Sequence, residues 1–177
     1  MTQKKDCEQK RENMETKFFP IFIDISDYDI VVIGGGTIAT RRVKTLVEFC
    51  KHITVVSPEI TASLEELVAQ EKITWRKEVY HKEAVWNADM VFAATNQPEI
   101  NQKIKKDCLL LKLETGKRIL FNAIDDKKNC DFYFPSIVQS EDVVVGINSS
   151  GASPKKTKEV RKQIEELLNT TSVYTGE

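Results

Sequence analysis

Ile30 to Arg42 reads IVVIGGGTIATRR, a β-branched apolar run that stops at three glycines and passes at once into a helix-forming segment. Gly34, Gly36 and Ala39 fit the G-x-G-x-x-G/A pattern of a dinucleotide-binding turn. Gly34 allows a tight turn out of the strand. Gly36 lets the backbone approach a pyrophosphate with no side chain in the way, and Ala39 lets the helix pack close to the sheet. Thr37 and Ile38 open that helix, where unpaired N–H groups and the positive end of the dipole favour phosphate. Gly34, Gly36, Thr37 and Ile38 are therefore expected cofactor contacts. The competing explanation is a glycine turn with a purely structural purpose.

Outward from this turn, strand and helix signals alternate. A first strand is expected over about 29–34, a helix over 36–50, and a strand over Ile53–Ser57. An amphipathic helix follows over Thr61–Gln70, with Leu64, Leu67 and Val68 on one face. Strands at Ile73–Arg76, Met90–Ala94 and Ile119–Ala123 are separated by a short helix at His81–Trp86 and a longer one at Gln97–Leu113, ended near Gly116. This βαβαβ rhythm predicts an α/β fold, a Rossmann-type doubly wound parallel sheet with right-handed crossovers. After Asp125 the rhythm changes. Phe132–Val138 and Val143–Asn148 read as a hairpin or extended arm, made irregular by Pro135. A last helix starts at Ser153-Pro154, serine as N-cap and proline at the first helical position, and runs to about Asn169. The expected organisation is a polar tail over 1–17, a dinucleotide-binding domain over 18–126, an arm over 127–153, and a C-terminal helix and tail over 154–177.

The bulk numbers fit this plan. A chain of 177 residues can bury about 70% of its unfolded surface without staples. A net charge of -1 argues against general nucleic-acid binding. No apolar run approaches the roughly 20 residues of a membrane span, and the polar N-terminus does not read as a secretory signal. Cys7, Cys50, Cys108 and Cys130 form no C-x-x-C pair, which suggests reduced thiols and a cytoplasmic location. With only His52 and His81 present, no metal site is expected.

The carboxyl edge of such a sheet is where ligands bind. Strand two usually ends in an acid that holds the ribose hydroxyls. Here Ser57 stands at that position, followed by Pro58 and Glu59. Glu59 is either a ribose contact or a solvated residue at the start of the next helix. No arginine follows Ser57 to meet a 2′-phosphate, which favours NAD over NADP. Thr95 and Asn96, after strand four, could bond the nicotinamide side or cap the helix that begins at Pro98. Asn122 and Asp125 follow strand five on the same edge, where an aspartate could take a proton as hydride leaves, or could simply form a turn. The last helix carries Lys155, Lys156, Lys158, Arg161 and Lys162 in its early turns, where its dipole disfavours cations. They are either a solvated face or a sign of an anionic ligand. Arg41 and Arg42 raise the same question.

Taken in order, FPIFID (Phe19–Asp24), VVIGGGTIATRRV, ITVVSPEI, AATNQPEIN, FNAIDDKKNCDFYFPSIV (Phe121–Val138) and INSSGASP (Ile147–Pro154) resemble the precorrin-2 dehydrogenase family, which includes the N-terminal module of siroheme synthase. The glycine turn is common to many families; the last two segments are the most diagnostic. The resemblance implies oxidation of precorrin-2, a tetrapyrrole with many carboxylates, by NAD to sirohydrochlorin on the way to sirohaem or cobalamin. It implies that Asp125 is the catalytic aspartate and Ser149 an active-site serine, with Asn122, Ser150, Lys155, Lys156 and Arg161 meeting the anionic substrate. It also implies a homodimer in which residues 131–149 exchange strands. Family members often continue past the last helix into a helical or methyltransferase domain, whereas this sequence ends at Glu177. Some also insert metal in the same cleft, but nothing here has metal-ligand spacing and no chelatase activity is inferred. Two other readings keep the glycine turn: a non-enzymatic NAD sensor, and a tetrapyrrole-binding protein without turnover.

Overall fold

A computed structural model of the chain describes residues 18–126, 129–140, 143–149 and 153–171, with the backbone alone at positions 170 and 171. The polar tail over 1–17 lies outside the described residues, as do Ser150 and the centre of the hairpin turn. Five strands, β1 (Asp29–Ile33), β2 (His52–Val56), β3 (Thr74–Arg76), β4 (Met90–Ala93) and β5 (Leu120–Ala123), form one parallel sheet in the order β3-β2-β1-β4-β5. The order reverses between β1 and β4, which creates the crevice where such sheets take ligands.

The residue pattern explains the layering. Strands buried on both faces must be apolar throughout, and β4, MVFA, is buried at every position. Helices α1 (Thr37–Leu46) and α2 (Ala62–Ala69) cover one face through Ala39, Val43, Leu46 and Leu64. A 3-10 turn (Lys82–Val85) and helix α3 (Pro98–Thr115) cover the other through Val85, Ile104, Cys108 and Leu111. Pro98 starts α3, and Gly116 closes it by donating its N–H to Lys112 O at 2.9 Å.

Two expected boundaries move. The helix after the glycine turn ends at Leu46, not near residue 50, because the N–H groups of Glu48 and Phe49 tighten onto the carbonyls of Thr45 and Leu46. The run expected as a strand from Phe132 pairs only over β6 (Ser136–Gln139), against β7 (Val144–Ile147). Pro135 has no N–H to give a ladder, and residues 130–132 are bound to β5 instead. Asp131 exchanges backbone and carboxylate bonds with Phe121, and Phe132 O accepts from Asn122 Nδ2. Phe132 and Phe134 then meet the buried Phe92 edge-on, both with centroids at 5.6 Å. The final helix α4 (Pro154–Thr171) packs on the β6–β7 hairpin.

Candidate functional site

The glycine turn crosses the carboxyl ends of β1, β2 and β4. Gly34 donates to Val56 O at 2.9 Å, and Ala94 N to Ile33 O at 2.8 Å. Gly34 has φ +114, and a Cβ there would lie 2.5 Å from Ala94 O. At Gly35 a Cβ would lie 2.1 Å from Glu59 O, so the β2–α2 loop rests directly on the turn. Both glycines are required by the protein's own packing. Gly36 differs, since a Cβ added to it meets nothing within 4 Å. No side chain caps the N-terminus of α1, and its first turn holds no acid. An open glycine before an uncapped helix start fits a phosphate group, and so these residues fit a dinucleotide. Thr37 and Ile38 are exposed there.

Ser57, at the end of β2, is buried, while Pro58 and Glu59 are exposed. The neighbouring strand adds groups that sequence order alone did not reveal. The register sets Arg76 opposite Val56, Ser57 N donates to Arg76 O at 3.2 Å, and Trp75 Nε1 donates to Ser57 O at 2.9 Å. The expectation that no arginine stands at this strand end is thus corrected: β3 brings Arg76 there. After β4, Thr95 is tied into the protein. Its hydroxyl lies 2.8 Å from Asn101 Oδ1 and accepts from Gln97 N at 3.2 Å. Asn101, 2% exposed on α3, returns Nδ2 to Thr95 O at 3.2 Å. Thr95 therefore fastens the helix start, and the adjacent Asn96 is exposed on this edge.

Beyond β5 the chain doubles back along its own strand, with Cys130 Sγ donating to Asp126 O at 3.2 Å and accepting from Ala123 N at 3.2 Å. Burial pushes the Cys130 thiol up from its ordinary value. This return loop holds Asp125 exposed at the edge. Asp125, Asp126, Asn129, Asn101, Gln102 and Lys105 line a cavity of about 430 Å³ floored by Phe121 and Ala123. Lys105 donates to Asn129 O and lies over the Phe121 ring at 5.6 Å.

Asn122 does not face this cavity. It is 2% exposed, accepts from Arg42 and donates to Phe132 O at 2.7 Å, so both ends of its amide are occupied inside the protein. That placement corrects the expectation of a direct substrate contact. Arg42 of α1 sits between Phe92 and Phe134, 5.3 Å from each centroid. Burial lowers its guanidinium to about 10. Arg42 and Asn122 thus join the cofactor helix, β5 and the root of the arm. The sequence offered a signal for Arg42 only in its lying within the buried arc of α1, one position before Val43.

Ser149 lies at the start of α4, where its hydroxyl accepts from Ser153 N at 3.3 Å and from Thr157 Oγ1 at 2.9 Å. Ser153 caps the helix through Lys156 N at 3.3 Å. Lys155 and Lys156 are exposed, and Arg161 pairs with Glu165 one turn along. None of Ser149, Lys155, Lys156 or Arg161 lines the Asp125 cavity.

Similarity to known proteins shows the family and the fold. A family model described as "Putative NAD(P)-binding" matches residues 21–136. The chain is 32% identical over 150 residues to the precorrin-2 dehydrogenase of Bacillus subtilis, covering 85% of this chain and 88% of that one. It is 32% identical over 151 residues to the siroheme synthase of Mannheimia succiniciproducens, covering 85% of this chain and 30% of the other. With the siroheme synthase of Nitrosospira multiformis the identity is 36% over 168 residues, covering 90% and 34%. The chain therefore spans about a third of the length of these siroheme synthases. The solved structure of SirC, precorrin-2 dehydrogenase, shares the fold with a TM-score of 0.69 at 24% identity, over 88% of this chain and 76% of that one.

Proposed function

We propose that this chain, which belongs to the precorrin-2 dehydrogenase family together with the N-terminal modules of siroheme synthases, oxidises precorrin-2 to sirohydrochlorin with NAD in the cytoplasm. The observation that carries this reading is an exposed aspartate, Asp125, on the rim of a cavity at the same sheet edge as the open glycine and uncapped helix start. The nicotinamide ring supplies the redox chemistry by accepting hydride. The chain's own residues bind, orient and move the proton. Gly36 and the first turn of α1 hold the pyrophosphate; Ser57, Pro58 and Glu59 take the adenosine ribose, and Asn96 lies toward the nicotinamide. Asp125 accepts the proton that the substrate loses as its hydride departs. Ser149, Lys155, Lys156 and Arg161 meet the substrate's carboxylates from the helix α4 side.

The separation of that second group from the Asp125 cavity supports a homodimer, in which a second copy's arm closes the site. Phe19, Ile21 and Phe22 are at least 75% exposed and Val144 of the hairpin is 37% exposed, apolar surface suited to such pairing. Sedimentation at micromolar concentration checks this, and a monomer there rules it out.

The deciding experiment is an absorbance assay of precorrin-2 oxidation on wild type and Asp125→Ala, with NADH binding measured in parallel. Turnover in the variant should fall at least tenfold while nucleotide affinity persists. Wild-type protein that binds NAD yet never oxidises precorrin-2 would defeat the enzyme reading in favour of a sensor or carrier.

A further inference from the structure

The acid that usually ends strand two does two things: it accepts from the ribose hydroxyls and it repels a 2′-phosphate. Ser57 can do the first but carries no charge for the second. The groups beside it come from β3 and the loop that follows. Arg76 Nη2 lies 2.6 Å from Glu78 Oε1 and 3.4 Å from His81 Nε2, and His81 Nε2 lies 3.2 Å from that same Glu78 oxygen. Glu78 Oε1 is shielded from solvent and makes close ionic contacts without hydrogen-bond alignment. The Arg76 side chain remains 39% exposed, so a ligand can reach it. The other nearby cation, Lys77, is turned onto the Trp75 ring at 5.5 Å.

We propose that Arg76 and Glu78 determine which nicotinamide nucleotide the chain accepts. Arg76 is the cation that a 2′-phosphate would meet, and Glu78 occupies and neutralises it, so that the nucleotide lacking this phosphate binds better. The assignment rests on the dinucleotide reading above and concerns specificity only. It also resolves how a strand ending in serine can still favour NAD. A phosphate near this pair meets a carboxylate already seated on the arginine, and the two anions repel at short range. Removing the Glu78 charge leaves Arg76 free to form the planar, charge-assisted contact that guanidinium groups make with phosphates.

The test measures equilibrium binding of NADH and NADPH through intrinsic tryptophan fluorescence, with thermal melts to confirm folding. For wild type, NADH should bind more tightly. In Glu78→Gln the ratio of the NADPH to the NADH dissociation constant should fall at least tenfold, with NADH affinity within about threefold of wild type. Adding Arg76→Gln to that variant should return the ratio to its wild-type value. Should the amide disturb folding, Glu78→Ala carries the same expectation. A ratio in the Glu78 variants within twofold of wild type overturns the proposal, as does a gain that survives loss of Arg76. Those outcomes leave the dinucleotide reading intact. Wild-type protein that binds neither nucleotide defeats that reading, and this assignment with it.

Discussion

The two edges of the central sheet are built from opposite materials. At the amino edge, polar groups close on one another. Asp89 N donates to Asp29 O and Asp89 Oδ2 accepts from Asp29 N, both at 2.9 Å; Leu120 N donates to Asp89 O, and Lys117 joins Asp89 Oδ1 at 2.9 Å. At the carboxyl edge, a glycine turn, an uncapped helix start and an exposed aspartate stand open, beside a part-exposed arginine paired with Glu78. The strands between are common to both. On the function proposed above, the amino edge keeps its groups for stability and the carboxyl edge holds them for a ligand. If it holds, substitutions at the two edges should affect different measurements.

The glycine turn offers the sharpest break, because adjacent residues of one kind should behave differently. Gly34→Ala places a side chain at φ +114 with its Cβ 2.5 Å from Ala94 O. Backbone strain and overlap together should cost about 2–5 kcal/mol, read as an early denaturation midpoint with nucleotide binding lost alongside. Wild-type stability in this variant would mean that the turn can reshape, and the packing account would fall.

Gly36→Ala is the smaller and more discriminating change. Its φ of -82 suits any residue and the added methyl meets no protein atom. Stability should stay within about 0.5 kcal/mol of wild type. NADH affinity should drop at least tenfold, about 1.4 kcal/mol, because the methyl would occupy the space proposed for the pyrophosphate. An affinity that does not move would return Gly36 to a merely structural part and remove the strongest sign of a ligand at this edge.

The sequence was most informative where structure is local. The strand, turn and helix around IVVIGGGTIATRR follow from residues within a few positions of one another, and so does the Ser153-Pro154 cap. It was least informative where pairing joins distant residues. Arg76 reaches the end of β2 only because β2 and β3 pair in one register, a fact absent from the stretch of sequence between Val56 and Arg76. Asn122 looked like a ligand residue because it ends a strand on the ligand edge. It is buried because Arg42, eighty positions earlier, reaches across to it and Phe132 returns beside it. Thr95 had two compatible readings, and its bonds to Gln97 N and the buried Asn101 show only that it fastens the chain entering α3. The shortened β6 had a visible cause in Pro135, yet the pull of β5 on residues 130–132 did not.

The smallest expected effect belongs to the amino edge and tests whether the two edges are independent. Asp89 feels burial, which pushes its carboxyl up, but the Asp29 N–H and Lys117 outweigh it and hold the group below the usual carboxylate range. A carboxylate lowered on folding stabilises the protein above its unfolded value of about 3.9, and that contribution fades as pH falls through the lower folded value. The side chain is a third exposed, so solvent screens the pair and Asp89→Asn should cost only about 1 kcal/mol or less at pH 7. The gap between variant and wild type should narrow in denaturation curves as pH falls through the lowered folded value and the wild-type carboxylate is protonated. NADH affinity and precorrin-2 turnover should be unchanged, since the sheet separates Asp89 from every group at the open edge. A variant that loses nucleotide affinity more than twofold while still folded would mean that strain passes along β1 and β4 from one edge to the other, and the division between them would fail.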